Sequence, residues 1–486
     1  MSYHNCPQLG QSFQLVQNAF LQHPGLPFAA VLEEDDIQAA FAAEDALFGQ
    51  QADDVYTPPL VLWGMLSQAL QAGNARSCTA AVARVIVLCV ALGRRPPSED
   101  TGAYCRARAK VPEAVLRRLT YQVSDRLESS VPADWRWHGR HVKVVDGTTL
   151  SVPDTLDNQA VWPQPRSQQA GLGFPLLRLC LVMSLVTGAL CGLELGPYEG
   201  KETGETALLR RLLELGRLLA GDLVLGDSYF CSYFMLALLR ACGLDGLFHQ
   251  HQRRKTDFSQ GQRLGDGDHL TTWSKPERPA WMDEATDAQI PDELVVRELR
   301  VQVSIRGFRV RELILVTTLT DAQTYTQQEI GELYRQRWHV ELDLRALKTA
   351  LHLEDLRGQS PAAVRREIWT HCLAYNLLRQ TMAQAALLEQ RTVRQLSFTT
   401  ALQNVRAAWD HATLATPEEL SRLAQAQLRT IGRSTVGQRP HRVEPRAVKR
   451  RPKKQKLLTQ PRAQAREALL NGTAADIQPR RCRPAA

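Results

Sequence analysis

The sequence predicts an α/β protein with a mixed sheet, framed by helical segments at both ends. Three observations carry this expectation. Up to about residue 125 the apolar residues recur at helical spacing. After "RWHGRHV" (residues 136–142) they gather into short runs of strand length bounded by turn residues. Beyond "GQSPAAVRREIW" helical spacing returns and continues to about Ile431.

In the first region "EEDDIQAAFAAEDALFG", "VLWGMLSQALQ" and "SCTAAVARVIVLCVALG" each read as a helix, and "RRPPSEDTGAYCRARAKVPEAVLRRL" as a turn followed by a basic helix. Then come the strands "VKVVDGTTLSV", "LLRLCLVMSLVTG" and "ALCGLELGPYEG". The helix "GETALLRRLLELGRLL", the short buried strand "DLVLGDSYF", the helix "SYFMLALLRACG" and the strand "LDGLFHQ" follow. From about residue 252 to 310 the text is first irregular and basic, then alternates as "LVVRELRVQVSIRG" leading into "FRVRELILVTTLTD", which reads as a β-rich insertion. These shifts divide the chain into a helical region 1–125, an α/β region 126–390 interrupted at about 252–310, a helical region 391–439 and a tail 440–486.

Charge is located rather than spread. Of the formal net charge of +8, the segment from Gly432 onward contributes +12, leaving −4 for the rest. That tail, "RPHRVEPRAVKRRPKKQKLLTQPR", is proline-rich and lacks apolar periodicity, so it is expected to be extended and suited to neutralising nucleic-acid phosphates. The ten cysteines are scattered without a C-x-x-C pair, which argues against a disulfide framework or a zinc site. The apolar runs "AVARVIVLCVAL" and "LLRLCLVMSLVTGAL" are broken by Arg84 and Arg178 and do not amount to a membrane span, and the N-terminus lacks the pattern of a secretory signal. A cytoplasmic protein with no membrane partner is the expectation.

The stretch "LYRQRWHVELDLRALKTALHLEDL" carries the chemistry. Thr326-Gln-Gln-Glu329 reads as a capping box opening a helix from about Gln327 to about Leu351. With Tyr334 at zero on the helical wheel, Arg337, Glu341 and Lys348 fall near about 300°, 340° and 320°, one narrow polar face beside an apolar stripe of Leu333, Val340, Leu344, Leu347 and Leu351. An ordinary charged stripe is a solvated surface. Here one carboxylate flanked by two cations and a phenol at the lip of a core suits a metal ion facing phosphates. Asp146, after "VKVV", and Asp227, after "LVL", each close an apolar strand, where an acid is poorly placed unless it faces a cleft or a metal. Together the three carboxylates form a hard oxygen set of the kind that binds a pair of Mg²⁺ ions, with Mn²⁺ able to substitute.

These carboxylates, with the spacing Tyr334-x2-Arg337-x3-Glu341-x6-Lys348, resemble the DDE transposases of the insertion sequence four family. "YTPPLVLWGMLSQAL", "DTGAYCRARAKVP", "DGTTLSVPDT", "GDSYFCSY", "DHLTTWSKPERPAWM" and "EPRAVKRRPK" extend the resemblance over nearly the whole chain. The resemblance implies an RNase H-like, retroviral-integrase-type catalytic core with a β-strand insertion, which the 114-residue interval from Asp227 to Glu341 accommodates. It implies that Asp146, Asp227 and Glu341 are catalytic and bind the metals, and that Tyr334, Arg337 and Lys348 hold the DNA backbone near the cleaved end. Arg345 is counted among the DNA contacts. Trp338 is placed close to the DNA end, and Trp273 is a candidate for stacking on an extruded base. The partners implied are double-stranded DNA, as terminal inverted repeats and target, and a second copy of the chain in a paired-end dimer. The first 125 residues would recognise the element ends. Two other readings stay open on the residues alone: a nuclease of the same fold without strand transfer, and a domesticated DNA-binding protein.

Removing the chain from Pro440 onward should weaken DNA binding for all sequences alike and flatten its dependence on salt, because the tail supplies charge without base reading. Binding isotherms over a series of salt concentrations measure this, and an unchanged slope would assign the tail no part in binding.

Overall fold

The computed structural model of the protein describes residues 12–21, 32–49, 51, 54–302, 312–437 and 458–471. The strands β1 (Val142–Ser151), β2 (Leu176–Ser184), β3 (Leu190–Pro197), β4 (Leu223–Gly226) and β5 (Asp245–His249) lie where the sequence places them. Four more follow, β6 (Gln262–Gly265), β7 (Asp268–Ser274), β8 (Glu293–Gln302) and β9 (Glu312–Thr317). All nine join one sheet in the order β3-β2-β1-β4-β5-β9-β8-β7-β6. The pairs β1–β4 and β4–β5 are parallel and the rest antiparallel, so the sheet is mixed as expected.

Alternation along the strands explains why both faces are covered. Val144, Leu181 and Leu225 point into one apolar core, and Val145, Val182 and Val224 into another. The second core is closed by the helices Glu205–Glu214 and Tyr233–Ala241. The first is closed by the segment carrying Glu341 and by the helix Pro361–Leu388, whose sides are almost entirely buried. A helix buried on all sides belongs in the middle of a bundle, and its buried polar side chains, Asn376 and Arg379 among them, are held by hydrogen bonds to neighbouring elements. Around it pack Pro58–Leu70, Glu113–Ser129, Phe398–Leu414 and Pro417–Arg433. The Asn376 amide donates to the Thr120 and Leu190 carbonyls at 3.0 Å and accepts from the Leu190 N–H at 2.8 Å, tying bundle to sheet. Trp63 donates to the Thr413 hydroxyl at 3.1 Å, joining the N-terminal helices to the C-terminal ones.

The β-rich insertion adds its strands to the same sheet, Leu247 of β5 pairing with Thr317 of β9. One feature departs from the sequence reading. The stretch read as irregular contains the β6–β7 hairpin, turning at Asp266-Gly267, where Gly267 has a φ of 63°. Asp-Gly is a strong hairpin signal, but β6 is largely exposed and carries no apolar alternation to reveal it. Of the tail, only 458–471 is described, with a helix at Arg462–Leu470; the remainder of the extended basic segment lies outside the described residues. The eight cysteines described are free thiols. Among the described residues no helix is long and apolar enough to cross a membrane.

Asp343, only 1% exposed, fixes the Glu341 segment to this frame. It accepts from Arg379 of the long helix and from Arg394 at 2.7 and 2.9 Å. Arg394 also donates to the Ser184 and Leu185 carbonyls, at 2.6 and 2.5 Å, at the end of β2. Asp343→Ala should destabilise the protein by about 3–5 kcal/mol, because two guanidiniums would remain buried without their counter-charge. Urea unfolding followed by tryptophan emission gives the value; a loss below about 1 kcal/mol would deny the anchor its role.

Candidate active site

Asp146 does not close its strand, as the apolar run suggests. β1 continues through Gly147 to Ser151, paired throughout with β2, with Asp146 opposite Leu181. What ends is the parallel neighbour: β1–β4 pairing stops at Val144–Leu225, and β4 stops at Gly226. Continuing that register by two residues sets Asp146 level with Asp227. Both share strand parity with residues of the first core, Val144 and Leu225, so both aspartates face the side covered by the Glu341 segment. The early end of β4 thus opens a gap in the sheet lined by two carboxylates.

The segment across that gap starts with the expected capping box: Thr326 accepts from the Glu329 N–H at 3.3 Å, and the Glu329 carboxylate accepts from the Thr326 N–H at 3.1 Å. It is helical almost as far as predicted, to Ala350, but not uniform. An α-helix at Gln327–Arg335 tightens to a 3₁₀ turn at Gln336–Trp338, resumes as α at His339–Arg345, and widens to a π turn at Ala346–Ala350. Such π turns are a recurrent feature of functional sites. This one carries Lys348, whose ammonium donates to the Thr148 hydroxyl at 3.1 Å and the Thr149 carbonyl at 3.3 Å, two and three residues past Asp146. At the other end the buried Tyr334 hydroxyl donates to the Gly226 carbonyl at 3.1 Å, one residue before Asp227. Tyr334 and Lys348 therefore brace the segment against the two aspartate-bearing strands, and Glu341 lies between the braces.

The remaining predicted residues divide. Arg337 pairs with Glu341 at 3.6 Å and lies 5.9 Å from the Tyr334 ring centre. Arg345 is exposed on the segment's surface, and Trp338 is 45% exposed, so it is no core residue. Trp273 is buried: its N–H donates to Glu298 at 2.9 Å, Arg254 covers its face at 3.6 Å, and it lines a cavity together with Tyr229, Arg253 and Trp281. Two residues at the site were not singled out for it by the sequence. His249 ends β5, and burial together with the Arg337 charge lowers its pKa, which favours the neutral imidazole. Glu205 lies behind Gly147; a Cβ there would come 1.9 Å from the Glu205 carboxyl carbon, so only glycine admits that carboxylate. The glycine after Asp146 was the available signal, and it reads equally well as a turn.

The electrostatics follow from this crowding. Burial foremost pushes the Asp146 carboxyl up to about 6; the Gly147 N–H and Arg337 oppose this, and the nearby Asp227 and Glu205 charges reinforce it. Burial, with Asp227, also raises Glu205. Among the described residues no three acidic, histidine or cysteine side chains stand close enough to hold a metal ion, with Glu341 drawn to Arg337. The donors nevertheless fit a hard divalent cation in type: two level carboxylates facing an open gap, with a third on the bracing segment.

A family model described as "Transposase DDE domain" matches residues 137–377, which include all three carboxylates and both braces. Transposase InsG for insertion sequence element IS4, from Escherichia coli (strain K12), is 28% identical over 368 residues, covering 73% of this chain and 78% of that one. The putative transposase InsL for insertion sequence element IS186A of the same strain is 33% identical over 66 residues, 14% of this chain and 18% of that one. A solved piggyBac transposase synaptic complex with hairpin DNA aligns with a TM-score of 0.41 at 10% identity, over 86% of this chain and 85% of that one, too distant to carry an argument. These matches identify the protein as a DDE transposase, an enzyme that acts on DNA. Over most of its length the chain is similar to the transposase of insertion sequence element IS4.

The raised Asp146 pKa has a sign that can be measured. Between the ordinary value of 3.8 and about 6 the folded protein holds a proton that the unfolded chain releases, so metal-free stability falls as pH rises through this window. Asp146→Asn should therefore be more stable than the native chain at neutral pH, by up to about 3 kcal/mol, with the advantage gone near pH 4. Thermal unfolding in chelator across that range is the measurement; equal pH profiles would contradict it.

Proposed function

We propose that the protein cuts the ends of a bacterial insertion sequence and joins them to target DNA through an RNase H-like core. The order β3-β2-β1-β4-β5, with β2 antiparallel to β1, supports that fold reading. The observation that carries the activity is the double brace: Tyr334 on Gly226 and Lys348 on Thr148 set Glu341 across the strands of Asp146 and Asp227. Three carboxylates on rigid elements would hold two Mg²⁺ ions, with Mn²⁺ as a substitute. When bound, the metal supplies Lewis acidity at the phosphodiester and a reactive hydroxide from water.

The chain's own groups do the rest. Arg337 exchanges Glu341 for a backbone phosphate, a swap that neutralises the DNA and releases the glutamate toward the aspartates. Arg345 and Trp338, exposed on the same segment, meet the DNA near the cleaved end. Hydrolysis frees a 3′-hydroxyl at each element end, and that hydroxyl then attacks the target strand in the same site. The helices of residues 1–125 recognise the terminal inverted repeats. A dimer pairs the two ends on the bacterial nucleoid, so that both are cut in concert.

Changing Asp146, Asp227 or Glu341 singly to Ala should lower Mg²⁺-dependent nicking of end-bearing DNA at least about a thousandfold, with gel-shift binding of the ends preserved. In Ca²⁺, two labelled end fragments of unequal length should enter one complex, and Mg²⁺ should then yield joined products. Cleavage surviving in Glu341→Ala would refute the site, and fragments bound only singly would refute the pairing.

A further inference from the structure

A cavity of about 540 Å³ lies away from the carboxylates, between the turn at Gly73–Arg76, the helix Gly102–Ala109 and the start of the helix Pro361–Leu388. Four guanidiniums line it, those of Arg76, Arg108, Arg357 and Arg366, against the single carboxylate of Glu367. Arg76 forms the floor. It is 4% exposed, and its Nε is buried without a hydrogen-bond partner. Its Nη2 lies 3.5 Å from Glu367 and 3.1 Å from His371 Nε2.

His371 adds no negative charge and no proton. Burial and the Arg76 charge bring its pKa down to about 3, so the ring is neutral at physiological pH; Nδ1 then donates to the Glu367 carbonyl at 2.7 Å and Nε2 accepts from Arg76. Glu367 is already shared, its other oxygen accepting from the Arg357 and Gly358 N–H groups at 2.8 and 2.9 Å. Among the described residues neither Arg108 nor Arg366 has a carboxylate at ion-pair distance, and Arg108 instead donates to the Cys78 sulfur at 3.2 Å. Burial lowers the pKa of Arg76, and the neighbouring Arg357 charge lowers it further; Arg366 is lowered by burial and by Arg108. Like charges collected around a half-enclosed space, with an orphaned buried donor at its floor, are costly unless an anion enters.

We propose that this cavity is a phosphate-binding site, in which Arg76, Arg108 and Arg366 hold the oxygens of a phosphate group. The planar, multiply donating guanidinium suits that shape better than any other cation. The phosphate comes from a DNA backbone or from a free phosphate-bearing molecule. The cavity does not depend on the carboxylate site; only the DNA source rests on the transposase reading. Arg357 stands at the exposed rim and follows Lys348 by nine residues, donating to the Gly73 carbonyl at 2.8 Å. A backbone phosphate held here would attach DNA both to the N-terminal helices and to the chain leaving the catalytic segment.

The test uses the full chain, Arg108→Gln with Arg366→Gln, and separately Arg357→Gln, which alters the charge at the rim without touching the interior. Thermal unfolding is followed with added sodium phosphate against sodium chloride at matched ionic strength. Phosphate should raise the native midpoint progressively with concentration, and the double variant should lose most of that rise. In a second arm each protein binds a duplex carrying the element end over a range of salt. If the phosphate is the backbone's, the double variant binds about tenfold more weakly, with a salt slope shallower by about one or two charges. Unchanged duplex binding with the phosphate effect lost assigns the site to a free phosphate-bearing molecule. No protection of the native chain by phosphate beyond chloride, or equal protection of the native chain and the double variant, would overturn the proposal whatever the duplex does. If the double variant does not fold, the single variant Arg366→Gln, at a guanidinium that is only partly buried, decides by the same criteria.

Discussion

The architecture turns on one buried carboxylate. Asp343 stands two residues after Glu341 and points the other way, into a site where Arg379 and Arg394 both close on it. Arg379 belongs to the central helix and Arg394 grips the end of β2, so one side chain joins the catalytic segment, the helical bundle and the sheet. A buried ion pair of this kind is costly to assemble, because its members give up water. What it contributes is position: the segment cannot rotate without stranding two guanidiniums. Glu341 inherits that fixed orientation while remaining partly open to solvent.

Upon this frame the site is built by an interruption. A parallel strand pair that simply continued would bury Asp146 and Asp227 between neighbours. Because β4 ends after Gly226 while β1 runs on with β2, the two aspartates come level at an opening, and the segment with Glu341 is pinned over it at both ends. The 3₁₀ and π turns let a single helical stretch meet both contacts, since a uniform α-helix keeps one phase along its whole length.

Much of this is local, and what is local could be read from the chain. The capping box at Thr326, the stripe from Tyr334 to Lys348 and the apolar strands before the aspartates are all sequence-contiguous patterns, and the core strands and helices fall where those patterns put them. What could not be read depends on distant partners. That the Tyr334 hydroxyl meets Gly226 depends on a strand 108 residues earlier. Nothing near Trp273 in sequence announces that Arg254 covers its ring. Asp343 and Arg76 look like ordinary surface charges, and their burial is set by segments 36 and 295 residues away. The β6–β7 hairpin was hidden for the opposite reason, its polar strands offering no apolar rhythm.

The central helix has a consequence for synthesis. The N-terminal helices emerge from the ribosome first, yet their partners come late: Trp63 bonds to Thr413, and the Phe20 carbonyl accepts from Thr381. Until some four hundred residues have been made, these helices have only one another to pack against, and the apolar faces they later turn to the helices Pro361–Leu388 and Phe398–Leu414 remain open to chaperones. β5 likewise waits for β9. A chain halted early therefore leaves these faces uncovered. Production of the folded enzyme is thus limited by completion of the whole message, a coupling of gene integrity to protein quality that follows directly from where residues 361–388 sit in the fold.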